Sequence, residues 1–384
     1  IVDEIGNVII KKPATEGMED RKGIILQGHM DMVPQKNADT DHDFELHPID
    51  AYIDGEWVTA KGTTLGADNG MGVAAAMSVL EAKDLEHGPV EALITMDEET
   101  GMTGAENLKA GVLDGDILLN LDSEDEGELY IGCAGGVDSM GVWDYKTETI
   151  EGENTTYNVS VKGLRGGHSG LDINLGRGNA NKIMNVLLVK ATEKYGLRVA
   201  EINGGSLRNA IPRESFVVAV VPNENKEAFE QYVQEFEEIA KDEFSETEPN
   251  LMVIAEETDA VKEVIEQEVI TNVFEAVSSC PNGTIKMSAD FEGVVETSTN
   301  LAIVKSDGKM IEIATLQRSL VNEDRDKLSA EVRGAFEAAK GKANSTGAYP
   351  GWKPNPESPI LKEMKEVYNN KFGKIPEVKV IHAG

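Results

Sequence analysis

Along the first third of the chain, short apolar runs stopped by an acid, a histidine or a glycine alternate with stretches of helical period. Residues 24–27 read as a short buried strand that runs into Gly28 and then His29-Met30-Asp31. Gly66-Ala67-Asp68-Asn69-Gly70 is a tight turn of residues that tolerate unusual backbone angles. It opens a small-residue helix over 71–83, whose alanines suit packing on a sheet. Pro89 introduces a buried strand over 90–95, which ends in Met96-Asp97-Glu98-Glu99-Thr100-Gly101. A short helix is expected around 104–110 and another buried strand over 116–122, closing on Asp122. The opening piece, 6–13, reads as a hairpin strand leading into the His29 strand. Strand, helix, strand, helix, strand is the rhythm of a parallel sheet with helices on its faces.

After Cys133 the pattern changes. Residues 156–163 alternate apolar and polar positions, as a half-exposed antiparallel strand does. Helical periods cover 179–194, 224–243, 259–277 and 323–340, with a strand at 215–221 and a hairpin from 301–304 to 310–316. Helices on one face of an antiparallel sheet make a separate α+β domain. Past Pro354 the chain returns through a helix at 358–372 to a strand at 377–381 that delivers His382. The expected fold class is therefore α/β. A catalytic domain with a mostly parallel sheet flanked by helices takes 1–137 and 346–384, and an inserted α+β lid domain takes 138–345.

The 384 residues suit two domains, and 40% hydrophobic with 27% charged residues is ordinary for a globular enzyme. With 36 basic against 69 acidic residues the net charge is -33, which repels nucleic acid and anionic membranes. A solvating acidic surface accounts for most of that charge. Two cysteines, Cys133 and Cys280, cannot make a disulfide framework and fit a reducing compartment. Neither has a basic neighbour that would activate it, so both read as core residues. No apolar run reaches the ~18 residues of a membrane span. The chain opens on Ile1-Val2-Asp3 and closes directly out of a strand at Gly384, so a piece of a longer protein is expected.

His29, Asp68, Glu99 and Asp122 all stand at strand ends or in a glycine-flanked turn, and His382 joins them from the far end. Ligands gather beyond the carboxyl ends of strands in α/β sheets. Alone, His-x-Asp reads more readily as a surface histidine than as a ligand, and Glu98-Glu99 as a solvated acidic loop. Together, imidazole and carboxylate donors without thiolate suit zinc, manganese or cobalt in a hydrolytic site. Five donors exceed what one zinc needs and suit two metals about 3.5–4 Å apart. The adjacent Glu98 and Glu99 can divide the work, one binding metal and the other handling the proton of a water. Asp31 is placed to orient His29.

Four stretches carry a resemblance: Gly28-His-Met-Asp-Met-Val-Pro34, Leu65-Gly-Ala-Asp-Asn-Gly70, Thr95-Met-Asp-Glu-Glu-Thr-Gly101 and Asn120-Leu-Asp-Ser-Glu124. The chain resembles the co-catalytic zinc metallopeptidases, which include the carnosinases and the cytosolic aminoacyl-histidine dipeptidases. Gly166-Gly-His-Ser-Gly170, Gly204-Gly-Ser-Leu-Arg-Asn-Ala-Ile-Pro-Arg213 and Tyr349-Pro-Gly-Trp-Lys-Pro-Asn355 match the dipeptidase branch. The resemblance spans essentially the whole chain, in order. It implies one metal held by His29 and Asp122, a second held by Glu99 and His382, and Asp68 bridging the two. It also implies a cis Asp68–Asn69 peptide and Glu98 as general base for a water activated between two metal ions. His168, otherwise an ordinary turn or surface histidine, is implied to stabilise the oxyanion. Asn209 is implied to touch the substrate. Arg318, which could equally pair with one of many acids, is implied to grip the dipeptide's carboxylate. The family pattern continues past His-Ala-Gly with Leu-Glu-Cys-Gly and begins with a helical segment before Ile1.

The resemblance thus implies a cytoplasmic, homodimeric, two-zinc dipeptidase (manganese or cobalt being the other candidates) acting on small Xaa-His dipeptides. No nucleic acid or membrane partner is expected. A related metallo-aminopeptidase or tripeptidase, or an N-acyl amino acid deacylase, is the alternative enzyme. A non-catalytic metal-binding protein is a further one, against which the retention of Glu98 with all five ligands argues.

Overall fold

Two buried strands lead to His29 and Glu98, and a third, whose residues alternate between half-buried and exposed rather than all buried as its apolar run predicts, leads to Asp122. The computed structural model describes residues 1–37, 40–123 and 125–383; Glu124, the end of the Asn120 motif, and the terminal Gly384 lie outside these. Two compact units divide the chain, Ile1–Glu128 with Lys362–Pro376, and Leu129–Leu361 with the residues from Glu377 on.

The first unit holds β1 (Val8–Lys12), β2 (Ile24–His29), the hairpin β3–β4 (Ala51–Asp54 and Trp57–Ala60), α1 (Ala67–Glu81), β5 (Val90–Thr95), the short helices α2 (Glu98–Gly101) and α3 (Thr103–Glu106), and β6 (Ile117–Asn120). Its main sheet runs β1-β5-β2-β6, with β2 parallel to both β5 and β6. β1 does not form a hairpin with β2; it pairs antiparallel with β5, Val8 opposite Ile94. The chain after β1 is held at Thr15, whose backbone nitrogen donates to His87 O at 3.0 Å just ahead of β5. β2 then adds on the other flank of β5. Leu26, Ala92 and Ile94 pack with Ala76 of α1 on one side of this sheet, as the alanine-rich helix predicts. Ile9, Ile25 and Leu93 pack with Leu108 and Leu113 in a second cluster. The helix expected at 71–83 starts at Ala67, with Asp68 and Asn69 departing from helical angles.

The second unit is built on a nine-stranded antiparallel sheet. Its order is Met252–Glu257, Asn154–Lys162, Ser215–Pro222, Arg198–Gly204, Val295–Ser306, Met310–Ser319, Gly135–Asp144 and Lys342–Tyr349, with Gly283–Met287 on Val295–Ser306. Helices Ala180–Tyr195, Lys226–Glu243, Gln267–Ser279 and Asn322–Ala338 cover it. Asn179 caps the first of these by accepting from the Asn181 and Lys182 nitrogens, and Gly196 ends it in the left-handed region. Phe229 meets Tyr157 of the sheet edge-on with ring centroids 5.2 Å apart, both fully buried. Truncating Phe229 to alanine would cost about 3–5 kcal/mol on such packing.

The helix expected at 259–277 is instead a strand, Glu263–Ile265, followed by helix Gln267–Ser279. The strand pairs with Thr147–Thr149, and that pairing buries Val264 and Ile265. The strand Gly135–Asp144 is not predicted by the residue pattern, because three glycines interrupt its alternation. The strand Glu377–Ile381 pairs with Glu128–Cys133. Within 346–384, which the residue pattern assigns to the catalytic domain, the contacts group Lys362–Pro376 with the first unit and the flanking residues with the second. Among the described residues no helix is long and apolar enough to cross a membrane.

Candidate metal centre

Each side chain of the first unit's site is delivered by a break in regular structure. His29 is the last residue of β2 and only 1% exposed. After β5, Asp97 turns the chain at φ 55°, and its carboxylate takes the hydroxyls of Thr100 and Thr103. That turn starts α2 with Glu98 and Glu99 in its first turn. Asp68 enters α1 through Gly66, and its peptide to Asn69 is cis. Asp122 follows β6, its nitrogen donating to Asn120 Oδ1 at 3.0 Å.

The donors converge on one imidazole. His29 Nε2 lies 3.1 Å from Asp68 Oδ1, 3.3 Å from Asp122 Oδ1 and 3.9 Å from Glu98 Oε2. Two overlapping sets, His29 with Glu98 and Asp122, and His29 with Asp68 and Glu99, each have ligand atoms within 4.8 Å of one another. On its other side, His29 Nδ1 is 3.0 Å from the backbone oxygen of Asp31 and 3.5 Å from its Oδ1. A carbonyl can only accept, so Nδ1 carries the hydrogen. In the neutral ring, Nε2 then aims a lone pair at two carboxylate oxygens. A proton or a metal cation must lie between them, and Asp122 Oδ1 is buried with no hydrogen-bond partner. Imidazole and carboxylate oxygen, without thiolate, is the donor set that zinc, manganese or cobalt accepts.

The electrostatics agree. Burial opposes charge on His29, yet Asp122, Glu98 and Asp68 outweigh it and raise its pKa. Burial pushes Glu98 and Asp122 above the usual carboxylate range despite the nearby imidazole, and the neighbouring acids add to it. Burial would also raise Asp31, but the backbone N–H groups of Glu98 and Glu99 hold it low. They donate to its Oδ1 and Oδ2 at 3.0 and 3.1 Å. This tie between the His29 segment and the Glu98-Glu99 turn is not legible in the sequence.

The second unit collects a different group of the expected residues. Arg318, 3% exposed, donates from Nη1 to Tyr349 Oη at 3.0 Å and from Nε to Ser169 Oγ at 3.4 Å. Among the described residues no carboxylate lies within ion-pair distance of it. His168 Nδ1 accepts from the Gly170 and Leu171 nitrogens, each at 3.1 Å. Burial and the Arg318 charge lower its pKa, so the ring is neutral with its hydrogen on Nε2. His382 is held by Ser298 Oγ at 2.7 Å from Nε2, and burial with the Arg318 charge lowers its pKa to about 3. Asn209 is exposed in a turn, its backbone oxygen accepting from Ser169 N at 2.8 Å. Tyr349 and Ser298 do not stand out in the sequence, although Tyr349 heads one of the stretches that carry the resemblance. Burial raises the thiols of both Cys133 and Cys280, the latter to about 12.

A model of the peptidase dimerisation domain matches residues 159–248. The chain is 44% identical over 382 residues to the cytosol non-specific dipeptidase of Escherichia coli (strain K12), covering 100% of this chain and 79% of that protein. It matches the crystal structure of aminoacylhistidine dipeptidase from Vibrio alginolyticus with a TM-score of 0.92 and 47% identity, covering 100% of this chain and 78% of that one.

Proposed function

The chain belongs to the M20 family of metallopeptidases, as a dipeptidase, and from that premise we propose how its residues divide the work. The site is proposed to hold two divalent ions, zinc by preference with manganese or cobalt as substitutes. His29 and Asp122 would hold one, Glu99 and His382 the other, and Asp68 both. The observation that carries this reading is the lone pair of His29 Nε2 facing Asp68 and Asp122 oxygens at 3.1 and 3.3 Å. Bound there, such ions would supply Lewis-acid polarisation of the scissile carbonyl and lower the pKa of a nearby water.

The protein's own groups supply the rest. Glu98, made more basic by burial, takes a proton from the attacking water and returns it to the departing amine. Asp31 holds the Glu98 and Glu99 backbone while its carbonyl sets the tautomer of His29. His168 donates from Nε2 to the oxyanion of the tetrahedral intermediate. Arg318, a buried guanidinium without a carboxylate partner among the described residues, binds the free carboxylate of the dipeptide in a paired hydrogen bond. Asn209 adds a polar contact to the substrate.

The substrates are proposed to be small dipeptides, Xaa-His among them. The matched dimerisation domain supports a homodimer, and the name of the Escherichia coli relative supports a cytoplasmic setting. The test is elemental analysis paired with hydrolysis of Xaa-His and other dipeptides, tripeptides and N-acetyl amino acids, before and after chelation. About two ions per chain with chelation-sensitive dipeptide cleavage is expected. A folded chain that binds no metal would overturn the site. Faster turnover of tripeptides or N-acetyl amino acids would replace the dipeptide assignment.

A further inference from the structure

The parallel ladder between β2 and β6 stops one rung short of the metal centre, and a side chain stands in the missing rung. Gln27 pairs with Asn120, and the last ladder bond runs from Leu121 N to Gln27 O at 2.8 Å. In a parallel ladder the next bond would run from His29 N to Leu121 O. Instead, His29 N donates to Asn69 Oδ1 at 3.2 Å, and Asn69 Nδ2 donates to Leu121 O at 2.8 Å. A carboxamide has the acceptor and donor of a peptide group, so it bridges the two strand ends as an inserted peptide would.

The insertion has room because glycine lines it on two sides. A Cβ at Gly28 would run into Asn69 Oδ1, and one at Gly72 would meet the Asn69 amide and Leu121 O. Asn69 itself is 5% exposed, with both of its polar ends engaged. The three chain segments it joins each carry a site residue: His29 itself, Asp68 one residue before it, and Asp122 one residue after Leu121. From this geometry we propose that Asn69 is a positioning residue. Its side-chain amide spreads the ends of β2 and β6 and sets the spacing of His29, Asp68 and Asp122. No other described side chain touches the backbone of both strand ends in this way.

The inference rests on the metal reading of the site, and its test separates the two. Wild type, Asn69→Asp and Asn69→Ala are stripped of metal and titrated with Co2+ against a chromophoric chelator, with the visible spectrum of the cobalt form recorded. Asn69→Asp keeps an acceptor for His29 N but sets a carboxylate oxygen against Leu121 O; Asn69→Ala loses both bonds. Both variants should bind Co2+ about 10- to 100-fold more weakly, with altered visible bands. With metal in excess, kcat for a dipeptide should fall at least 10-fold while KM stays within about threefold, as expected when an interaction made in the transition state is disturbed. Wild-type protein that binds no Co2+ sinks the metal reading. Wild type and a folded Asn69→Asp that bind alike, with the same spectrum and kcat, sink the role of Asn69. If Asn69→Ala does not fold by circular dichroism, the Asp variant decides alone.

Discussion

Asp31 Oδ1 accepts the backbone N–H of Glu98 at 3.0 Å, so the acid that follows the metal-site histidine also anchors the start of the Glu98-Glu99 turn. Its second oxygen takes Glu99 N at 3.1 Å, which leaves neither oxygen free to rotate away. Asp31→Asn keeps one accepting oxygen and turns an amide N–H toward the other donor. The expected result is a loss of about 1–3 kcal/mol of stability, the cost of one unsatisfied partner. It should come with at least a 10-fold fall in kcat, read by urea unfolding and steady-state kinetics on the same preparation. Wild-type stability in the variant would show that the two N–H groups are satisfied elsewhere.

Glu98→Ala should leave metal content unchanged and lower kcat about 100- to 10,000-fold, the range of general acid–base contributions. Loss of metal along with activity would make Glu98 a ligand instead. Its Oε2 lies 3.9 Å from His29 Nε2, so elemental analysis must accompany the rate.

Arg318→Met removes a buried charge whose partners among the described residues are hydroxyls, Tyr349 Oη and Ser169 Oγ. The variant should therefore fold, and its kcat/KM for dipeptides should fall about 10- to 100-fold, as a charged hydrogen bond of about 1.5–3 kcal/mol implies. Arg318→Lys should recover little, because an ammonium cannot pair both carboxylate oxygens. A dipeptide amide, which lacks the carboxylate, should be cleaved equally by wild type and variant.

Chelation should lower Tm and re-addition of Zn2+ should restore it. A ligand that binds only the folded state stabilises it, and here it also relieves the crowding of Asp68, Glu98 and Asp122 around His29. An unchanged Tm would mean that the metal contributes nothing to holding these segments together.

His168 gives a pH dependence with a definite sign. Burial and the Arg318 charge hold its folded pKa below the ordinary histidine value of about 6.5. Below about pH 6.5 the unfolded chain therefore binds the extra proton first, and stability declines as pH falls toward the folded pKa. His168→Asn removes this contribution, so the stability lost by the metal-free protein between pH 7.5 and 5.5 should be smaller in the variant. Parallel losses in both would assign the slope to other groups.

Much of the site is legible in the sequence because its residues occupy positions that local rules identify. A histidine closing an apolar run, an aspartate in a glycine-flanked turn, and acids following two further apolar runs need only strand periodicity and turn chemistry to be noticed. The structure sets His29 with Glu98 and Asp122, and again with Asp68 and Glu99, in two groups that share the histidine. The strand Val90–Thr95 has the bounds that its apolar run predicts. Less is legible in the second unit, where Thr297, Ser298, Thr299 and Asn300 are all buried on one strand. The three hydroxyls and the Asn300 Nδ2 find partners distant in sequence, among them Ser319, His382, Gln317 and the Ala210 carbonyl. A hydrophobicity pattern reads such a strand as exposed.

The fold class and the chemical types gathered at the strand ends were readable from the chain alone, since periodicity, turn residues and donor identity are properties of short stretches, and the family followed from the resemblance of its motifs. Folding in three dimensions was needed to show that β1 joins β5, that Asp31 holds the Glu98-Glu99 backbone, and that the Asn69 amide replaces a ladder bond between His29 and Leu121. Hydrogen bonds choose their partners by distance and direction in space, and residues 40 and 52 positions apart leave no local mark of such a meeting.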